Sequence, residues 1–299
     1  MIAMPVAARW TDAVPAADET PDDELGTLSP LSVQRWRHGH VETDVDWLAE
    51  EVPVALEYNG VGHAVMMATP DALEELGLGF SVSEGIVADA AEVLDLDLQR
   101  APNGVRVAMR ITAQRFDALK QRRRNLAGRT GCGLCGVDSL DQALRAVPTL
   151  PPMLHRLDPA RLVAAMAALD DAQPLRRQTG AAHAAAWMSP EGRLQSVRED
   201  VGRHNALDKV IGTLLFAGVD TGRGAALVTS RASVELVQKA ASAGIGVLVA
   251  RSAPTALAVR QAQALGLALA GFARDGRLVA YAHAGRLLGG GTGLRGDIA

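Results

Sequence analysis

The chain has 299 residues, of which 48% are hydrophobic, and its formal net charge is −4. This length exceeds what one core usually fills, so two domains are expected, and the charge balance argues against a nucleic-acid-binding protein. The apolar runs are far shorter than the about 20 residues that cross a bilayer, which argues against a membrane protein. No signal-peptide pattern opens the chain, so the expected compartment is a reducing cytoplasm.

The N-terminal half is predicted to be β-rich. Four prolines and many acidic residues in residues 1–30 predict a mobile tail. From Val41 onward, short apolar stretches around an Asn59-Gly60 pair indicate a β-hairpin, and residues 105–111 have the composition of a strand. These elements predict a smaller N-terminal domain over residues 31–148 that ends in a Cys-x-x-Cys loop.

A basic segment lies between Arg115 and Arg129, directly before the cysteines. It can be a solvated helix face or an anion-binding patch, and the sequence leaves both interpretations open. Its basic residues are Lys120, Arg122, Arg123, Arg124 and Arg129.

The C-terminal half alternates between strands and helices. Three prolines at 148–152 indicate a domain boundary, and Asp158-Pro159 predicts the start of a helix. The segments AALVTS, IGVLVARS and LALAGF are predicted strands, and the two intervening segments are predicted helices. This βαβαβ pattern predicts an α/β domain over residues 149–299 with mostly parallel strands.

Each of the three predicted parallel strands ends near an arginine: Arg231, Arg251 and Arg274. Because ligands of such sheets bind beyond the carboxyl ends of the strands, these arginines are expected to line a positive crevice suited to phosphate. The alternative is that arginines simply mark the points where strands leave the sheet.

Both cysteines of the chain, Cys132 and Cys135, lie in the segment GRTGCGLCG. A structural zinc site would need two histidine ligands for which no paired motif exists, and a rigid redox dithiol fits poorly with four glycines. The remaining interpretation is a nucleophilic thiolate on a flexible arm, with its pKa lowered by the neighbouring basic residues.

Two histidine motifs follow the cysteines. The segment TGAAHAAAW resembles the His-x-Glu helix of zinc-dependent deaminases, but Ala185 occupies the glutamate position and no Pro-Cys-x-x-Cys motif follows, so neither zinc nor deamination is expected. His183 is then either a core residue or part of a pocket wall. In VREDVGRHNALDKVIG, the spacing of His204 and Asp208 places both on one helix face. We expect that helix to line a pocket with Asp200, Arg203, His204, Asp208 and Lys209.

Five motifs together resemble the FdhD family of formate dehydrogenase accessory proteins: TGCGLCG, TGAAHAAAW, EDVGRHNALDKVIG, TSRASVELVQKAASAGIGVLVARSAPTALAV and GFARDGR. The resemblance covers roughly residues 40–285. It implies a cytoplasmic sulfur carrier of the sulfurtransferase type, which receives a persulfide from a cysteine desulfurase. That sulfur would pass to molybdenum bis(molybdopterin guanine dinucleotide) before this cofactor enters the formate dehydrogenase catalytic subunit. A cytidine deaminase-like C-terminal domain and a homodimer are also implied.

Carried over to this sequence, the resemblance implies that Cys132 bears the persulfide and Cys135 acts in relay. It places the cofactor near the turn Phe272, Ala273, Arg274, Asp275, Gly276 and Arg277. To these residues we add Arg231, Arg251, His183, Arg203 and His204 as predicted cofactor ligands, with GDP as the binding analogue. Two alternatives are a molybdenum cofactor-binding chaperone that transfers no sulfur and a cryptic deaminase.

Overall fold

The computed structural model describes residues 26–127, 146–152 and 156–287, which form a mixed α/β fold. Cys132 and Cys135 lie outside the described residues. The strands and helices, in chain order, are β1 (Leu28–Arg37), β2 (His40–Ala49), β3 (Val52–Tyr58), β4 (Val61–Ala68), α1 (Leu73–Ser83), β5 (Val93–Ala101), β6 (Gly104–Ile111), α2 (Ala113–Ala127), α3 (Pro159–Asp171), α4 (Pro174–Thr179), β7 (His183–Met188), β8 (Leu194–Asp200), α5 (Arg203–Phe216), β9 (Ala225–Val228), α6 (Val234–Ser242), β10 (Val247–Ala250), α7 (Ala256–Leu265), β11 (Ala268–Arg274) and β12 (Arg277–Ala282).

The N-terminal strands form a four-stranded sheet of order β4-β3-β6-β5, beside a separate two-stranded ribbon of β1 and β2. The predicted hairpin is confirmed, since Asn59 and Gly60 join β3 to β4 with φ values of 49° and 80°. Two left-handed residues match the twist of a tight hairpin turn. The Asn59 side chain also exchanges hydrogen bonds with both backbone groups of Ile111, which fixes the turn onto β6.

The C-terminal strands form a six-stranded sheet of order β12-β11-β10-β9-β7-β8, in which β9, β10 and β11 are parallel as predicted. Its strands are apolar on both faces because helices cover both. In β9, Ala226 and Val228 pack in the cluster that contains α5, α6 and α7, whereas Ala225 and Leu227 pack against α3. The predicted cap also forms, since the Asp158 carboxylate accepts a hydrogen bond from the Ala160 amide at the start of α3.

Helices α1 and α5 connect the two larger sheets. Their backbones approach closely at two glycines: a Cβ atom on Gly79 would lie 1.8 Å from the Asp208 carbonyl oxygen, and one on Gly212 would lie 2.0 Å from that of Glu75. One hydrophobic cluster therefore continues from Val107 in the first sheet to Leu248 in the second. The predicted division of the chain at residues 148–149 stays a prediction.

Two sequence-based assignments are wrong. The motif around His183 is not a helix: residues 183–188 form β7, a strand between β8 and β9. Alanines favour helices, but here small side chains fit between helices packed on both faces of the sheet, and tertiary packing outweighs propensity. The predicted tail is also too long, because β1 begins at Leu28. Its Pro30 is tolerated since the ribbon has only two strands, both of them edges.

Among the described helices, none combines the length and the apolar character that a membrane crossing requires.

Candidate functional site

Four of the sequence motifs meet at one edge of the six-stranded sheet. The parallel strands β9 and β10 end there, followed by Arg231 and Arg251. Strand β7 runs antiparallel to β9 and begins at this edge with His183, which lies opposite Asp200 at the end of β8. Helix α5 then starts at Arg203, three residues after the end of β8. We call this region, together with the β11–β12 turn, the basic edge.

The arginines of the basic edge differ in their partners. Arg231 is exposed, whereas Arg251 is half-buried and donates to the Asp170 carboxylate of α3. Arg274 and Arg277 are exposed, and their nitrogens lie 3.9 and 3.7 Å from Asp275 carboxylate oxygens. Ion pairs that are this long and exposed to water contribute little stability, so both guanidinium groups can bind an anionic ligand instead. Arg251, by contrast, already forms an ion pair with Asp170 and is less able to bind a ligand.

Phe272 interrupts β11 with an unusual backbone. Its φ of 51° lies in the left-handed region, and its side chain is 38% exposed. The Phe272 amide donates to the Ser252 carbonyl at 3.2 Å, and a Cβ atom on Gly271 would meet that same carbonyl at 2.9 Å. A strained backbone that presents an aromatic ring to solvent is a common feature of ligand sites. The Arg274 guanidinium lies 6.0 Å from the ring centroid.

The starts of α5 and β7 supply polar nitrogens without hydrogen-bond partners among the described residues. Among the described residues, no group bonds to His183 Nδ1, Arg203 Nε or His204 Nε2, although each of these atoms is buried. The residues that precede α5 and α6, Gly202 and Ser233, make no side-chain capping bond. The start of α5 therefore favours an anion, whereas the first turn of α6 already holds the Glu235 carboxylate, which bonds to Ser233 and to its own backbone amide.

Both histidines of the basic edge have lowered pKa values. Burial, followed by the charges of Arg203 and Lys239, lowers the pKa of His204 to about 4. Burial, followed by Arg176 and Arg203, lowers the pKa of His183. Each ring is therefore neutral at pH 7 and offers one donor and one acceptor nitrogen. The positive charge of the edge comes from its arginines.

Three of the residues expected to line a pocket are interior residues instead, so that prediction is wrong for Asp200, Asp208 and Lys209. Lys209 Nζ lies 2.7 Å from Asp200 Oδ2, and both side chains are inaccessible to solvent. It also donates to the Thr69 carbonyl at 3.0 Å. The Asp200 carboxylate accepts further bonds from the amides of Thr69 and Gly202 and from Asn205. These bonds fix the start of α5, and with it Arg203 and His204.

A second buried ion group was not foreseen from the sequence. Lys239 lies 2.8 Å from carboxylate oxygens of both Asp208 and Glu84. Burial raises the pKa of Asp208, and the two carboxylates raise the pKa of Lys239 against its own burial, since two acids share one ammonium group. The available signal was a lysine within the apolar helix VELVQKAAS. Arg122 of α2 donates to the Glu84 carbonyl, so this group also contacts the helix that precedes the cysteines.

No cluster of three or more metal-ligating side chains is present among the described residues.

An α/β fold with a basic sheet edge, an uncapped helix start and an exposed aromatic ring has the features of an anion-binding protein. The model of the FdhD/NarQ family matches residues 49–288. The chain therefore belongs to the FdhD/NarQ family.

Known proteins resemble the chain over most of its length. A protein of Cupriavidus necator named sulfur carrier protein FdhD is 52% identical over 267 residues, which cover 89% of this chain and 92% of that protein. A protein of the same name from Xanthomonas euvesicatoria is 51% identical and covers 86% and 91%. A crystal structure from Desulfotalea psychrophila, described as a formate dehydrogenase accessory protein, has a TM-score of 0.70 and 25% identity. It covers 88% of this chain and 100% of that one.

Proposed function

We propose that this protein is a cytoplasmic sulfur carrier in the maturation of formate dehydrogenase. It accepts sulfur from a cysteine desulfurase as a persulfide and transfers it to molybdenum bis(molybdopterin guanine dinucleotide), which is its substrate. The observation that carries the proposal is that the only two thiols of this FdhD/NarQ-family chain lie three residues apart in a glycine-rich segment. The names of the relatives support the same role.

The steps that load the carrier and relay the sulfur between its two cysteines are thiolate exchanges. The Cys132 thiolate attacks the outer sulfur of the desulfurase persulfide, a new sulfur–sulfur bond forms on Cys132, and the desulfurase cysteine leaves as a thiolate. Cys135 can then attack the outer sulfur on Cys132, which moves the persulfide by three residues and restores the Cys132 thiolate. No oxidant is needed, because each bond formed replaces a bond of the same kind.

The basic edge suits the dinucleotide arms of the substrate. Each arm carries phosphates, which the exposed Arg231, Arg274 and Arg277 and the uncapped start of α5 can bind. The exposed Phe272 ring provides a stacking surface for guanine. The turn residues Ala273, Asp275 and Gly276 lie between the ring and Arg277, and the Arg274 guanidinium lies 6.0 Å from the ring centroid.

The nitrogens at the starts of α5 and β7 provide polar contacts deeper in the basic edge. His183, Arg203 and His204 each have a buried nitrogen for which the described residues offer no partner. A buried donor or acceptor without a partner costs about 1–3 kcal/mol, so a ligand that satisfies these atoms gains affinity. Neutral rings can accept as well as donate, which suits the amide and hydroxyl groups of a pterin or a ribose.

The cysteines lie just after α2 in the chain, and α2 contacts Glu84 near the start of α5. Cys132 follows the last residue of α2, Ala127, by five residues, a contour of at most about 18 Å. Arg122 of the same helix contacts Glu84, whose charge acts on His204. Glu84 thus links the helix that precedes the thiols to the electrostatics of His204.

A cofactor-binding chaperone without sulfur transfer is the second candidate. The basic edge favours this second function. The edge contains no cysteine among the residues that define it, so it could bind the dinucleotide without any sulfur transfer. The chemistry of the thiols distinguishes the two functions.

Incubation with a cysteine desulfurase and cysteine is expected to add sulfur to Cys132. Intact-mass spectrometry should show a gain of one sulfur atom, which a thiol reductant removes, and peptide mapping should place it on Cys132. The Cys132→Ala, Cys135→Ala double variant is the control for non-specific sulfur. A protein that gains no removable sulfur under these conditions would support the chaperone instead.

Arg231→Ala is expected to weaken GDP binding by about 1–3 kcal/mol, the usual contribution of a charged hydrogen bond. Arg251→Ala should weaken it less, because Arg251 already binds Asp170. Isothermal titration calorimetry measures both, with Arg100→Ala on the exposed four-stranded sheet as the control. Unchanged affinity in Arg231→Ala would show that the phosphates bind elsewhere.

A further inference from the structure

An acidic stretch of sequence precedes the first strand. Residues 12–24 lie outside the described residues and contain six carboxylates but no basic side chain. They also precede the residues matched by the family model, which begin at 49, so family membership by itself assigns them no role. We call this stretch the acidic segment, and its carboxylates belong to Asp12, Asp18, Glu19, Asp22, Asp23 and Glu24.

The basic edge carries the opposite charge. Arg231, Arg274 and Arg277 are exposed there, and opposite charges at this density favour contact. The edge already contains one example of such a contact, since Arg251 binds the Asp170 carboxylate of α3. A carboxylate of this chain can therefore occupy an arginine of the basic edge.

The point where the acidic segment joins the described residues is close to this edge. The Thr27 carbonyl accepts a hydrogen bond from the Glu50 amide at 2.9 Å. Strand β3 begins two residues after Glu50 and pairs with the end of β4, directly before Thr69. The Thr69 amide donates to the Asp200 carboxylate at 3.1 Å, and Asp200 lies opposite His183 at the basic edge. These steps place Thr27 within about 30 Å of Asp200.

The acidic segment is long enough to cover that distance. Asp12 precedes Thr27 by 15 residues, and an extended chain of this length spans about 50 Å. Attachment to the same chain also raises the effective concentration of the carboxylates at the edge to roughly the millimolar range. Individually weak ion pairs are then sufficient for the segment to occupy the arginines.

We propose that the acidic segment binds the basic edge of its own chain and competes there with the phosphates of the substrate. Carboxylates and phosphates both bind arginine through charge-assisted hydrogen bonds, so they use the same side chains. The substrate presents several phosphates on two connected arms, and it displaces the segment when it binds. This inference rests on the proposed function in taking the phosphates of that substrate as the competing anion.

The affinity of the full chain for GDP tests the competition. Neutralising four carboxylates of the acidic segment is expected to tighten GDP binding by about three- to tenfold at low salt, because GDP no longer has to displace them. At about 0.5 M salt the difference should disappear, since exposed charges are then screened. Isothermal titration calorimetry measures both conditions. The variant combines Asp12→Asn, Asp18→Asn, Glu19→Gln and Asp22→Asn.

A matched control removes the same number of negative charges from other parts of the surface. It is expected to leave the affinity for GDP close to that of the wild type, and circular dichroism verifies that both variants are folded. Equal tightening in the two variants would show that net charge alone acts, and it would overturn the proposal. The control combines four exposed positions: Glu42→Gln, Asp95→Asn, Asp97→Asn and Asp220→Asn.

Carbodiimide crosslinking tests the contact without any ligand. The reagent joins a carboxylate to an amine that touches it, and two of the three lysines of the chain, Lys209 and Lys239, are buried. In Arg231→Lys, peptide mapping is expected to find the introduced lysine joined to the acidic segment of the same chain. Arg100→Lys is the matched control, because Arg100 is exposed on β5, two strands from β3, and lies within reach of the same segment.

The crosslinks decide the contact independently of sulfur transfer and of nucleotide binding. A crosslink as abundant in Arg100→Lys as in Arg231→Lys, a crosslink found only between two chains, or none at all would overturn the proposal. If GDP binds neither the wild type nor the neutralised variant, the proposed function fails at this edge, whereas the crosslinks still show whether the acidic segment lies on it.

Discussion

Cys132→Ala is expected to abolish activation of the client formate dehydrogenase while leaving the fold intact. The proposed transfer requires a thiolate that takes up the sulfur, and alanine offers no atom that can form the persulfide. Four of the nine residues at 128–136 are glycine, so little side-chain packing depends on this position. Formate oxidation by the client, matured with either form of the carrier, measures the effect.

Leu134→Ala is the matched control for Cys132→Ala. It changes the residue between the two cysteines and keeps both thiols, so client activity should stay close to that with the wild-type carrier. Thermal unfolding of both variants should match the wild type. Full client activity with Cys132→Ala would exclude the persulfide role of Cys132 and leave the chaperone as the better explanation.

The parallel part of the six-stranded sheet could be predicted because its sequence alternates short apolar strands with helices. Buried parallel strands such as those around Leu227 and Leu248 must be apolar on both faces, and helices must connect them. The turn at Asn59-Gly60 could also be predicted, since few other residue pairs readily adopt two successive left-handed conformations. The conformation of these elements depends on residues that are neighbours in sequence, so the sequence was sufficient to predict them.

The motif around His183 could not be read correctly from local sequence. Its alanine run favours a helix in isolation, whereas the packing of β7 between β8 and β9 decides the outcome. The resulting strand still brings His183 to the basic edge, beside the start of α5. The position expected for His183, at a pocket, therefore did not depend on the helix expected for the motif around it.

The burial of the charged residues in α5 could not be predicted from the sequence. Periodicity places Asp208 and Lys209 on a helix, but their burial depends on α1 approaching through Gly79 and Gly212. Contacts with residues more than 120 positions away, such as Thr69 and Ser83, make these charges acceptable in the core. A single sequence does not contain that information.

Lys209→Met is expected to destabilise the protein by about 3–5 kcal/mol, a large part of the about 5–15 kcal/mol that stabilises a typical folded protein. Methionine fills much of the space that lysine occupies, but it leaves the Asp200 carboxylate in the interior without its cation. The Thr69 carbonyl also loses its bond from Lys209. Urea unfolding, followed by circular dichroism, measures the change in the free energy of unfolding.

Lys120→Met is the matched control for Lys209→Met, because Lys120 pairs with Asp117 on an exposed helix surface, 2.7 Å away. Water screens that pair, so its removal should cost less than about 1 kcal/mol. Adding Asp200→Asn to Lys209→Met removes the stranded charge and should recover part of the lost stability. A loss below about 1 kcal/mol in Lys209→Met itself would mean that Asp200 is sufficiently stabilised by the Thr69, Gly202 and Asn205 donors, and that the buried lysine does not hold the start of α5 in place.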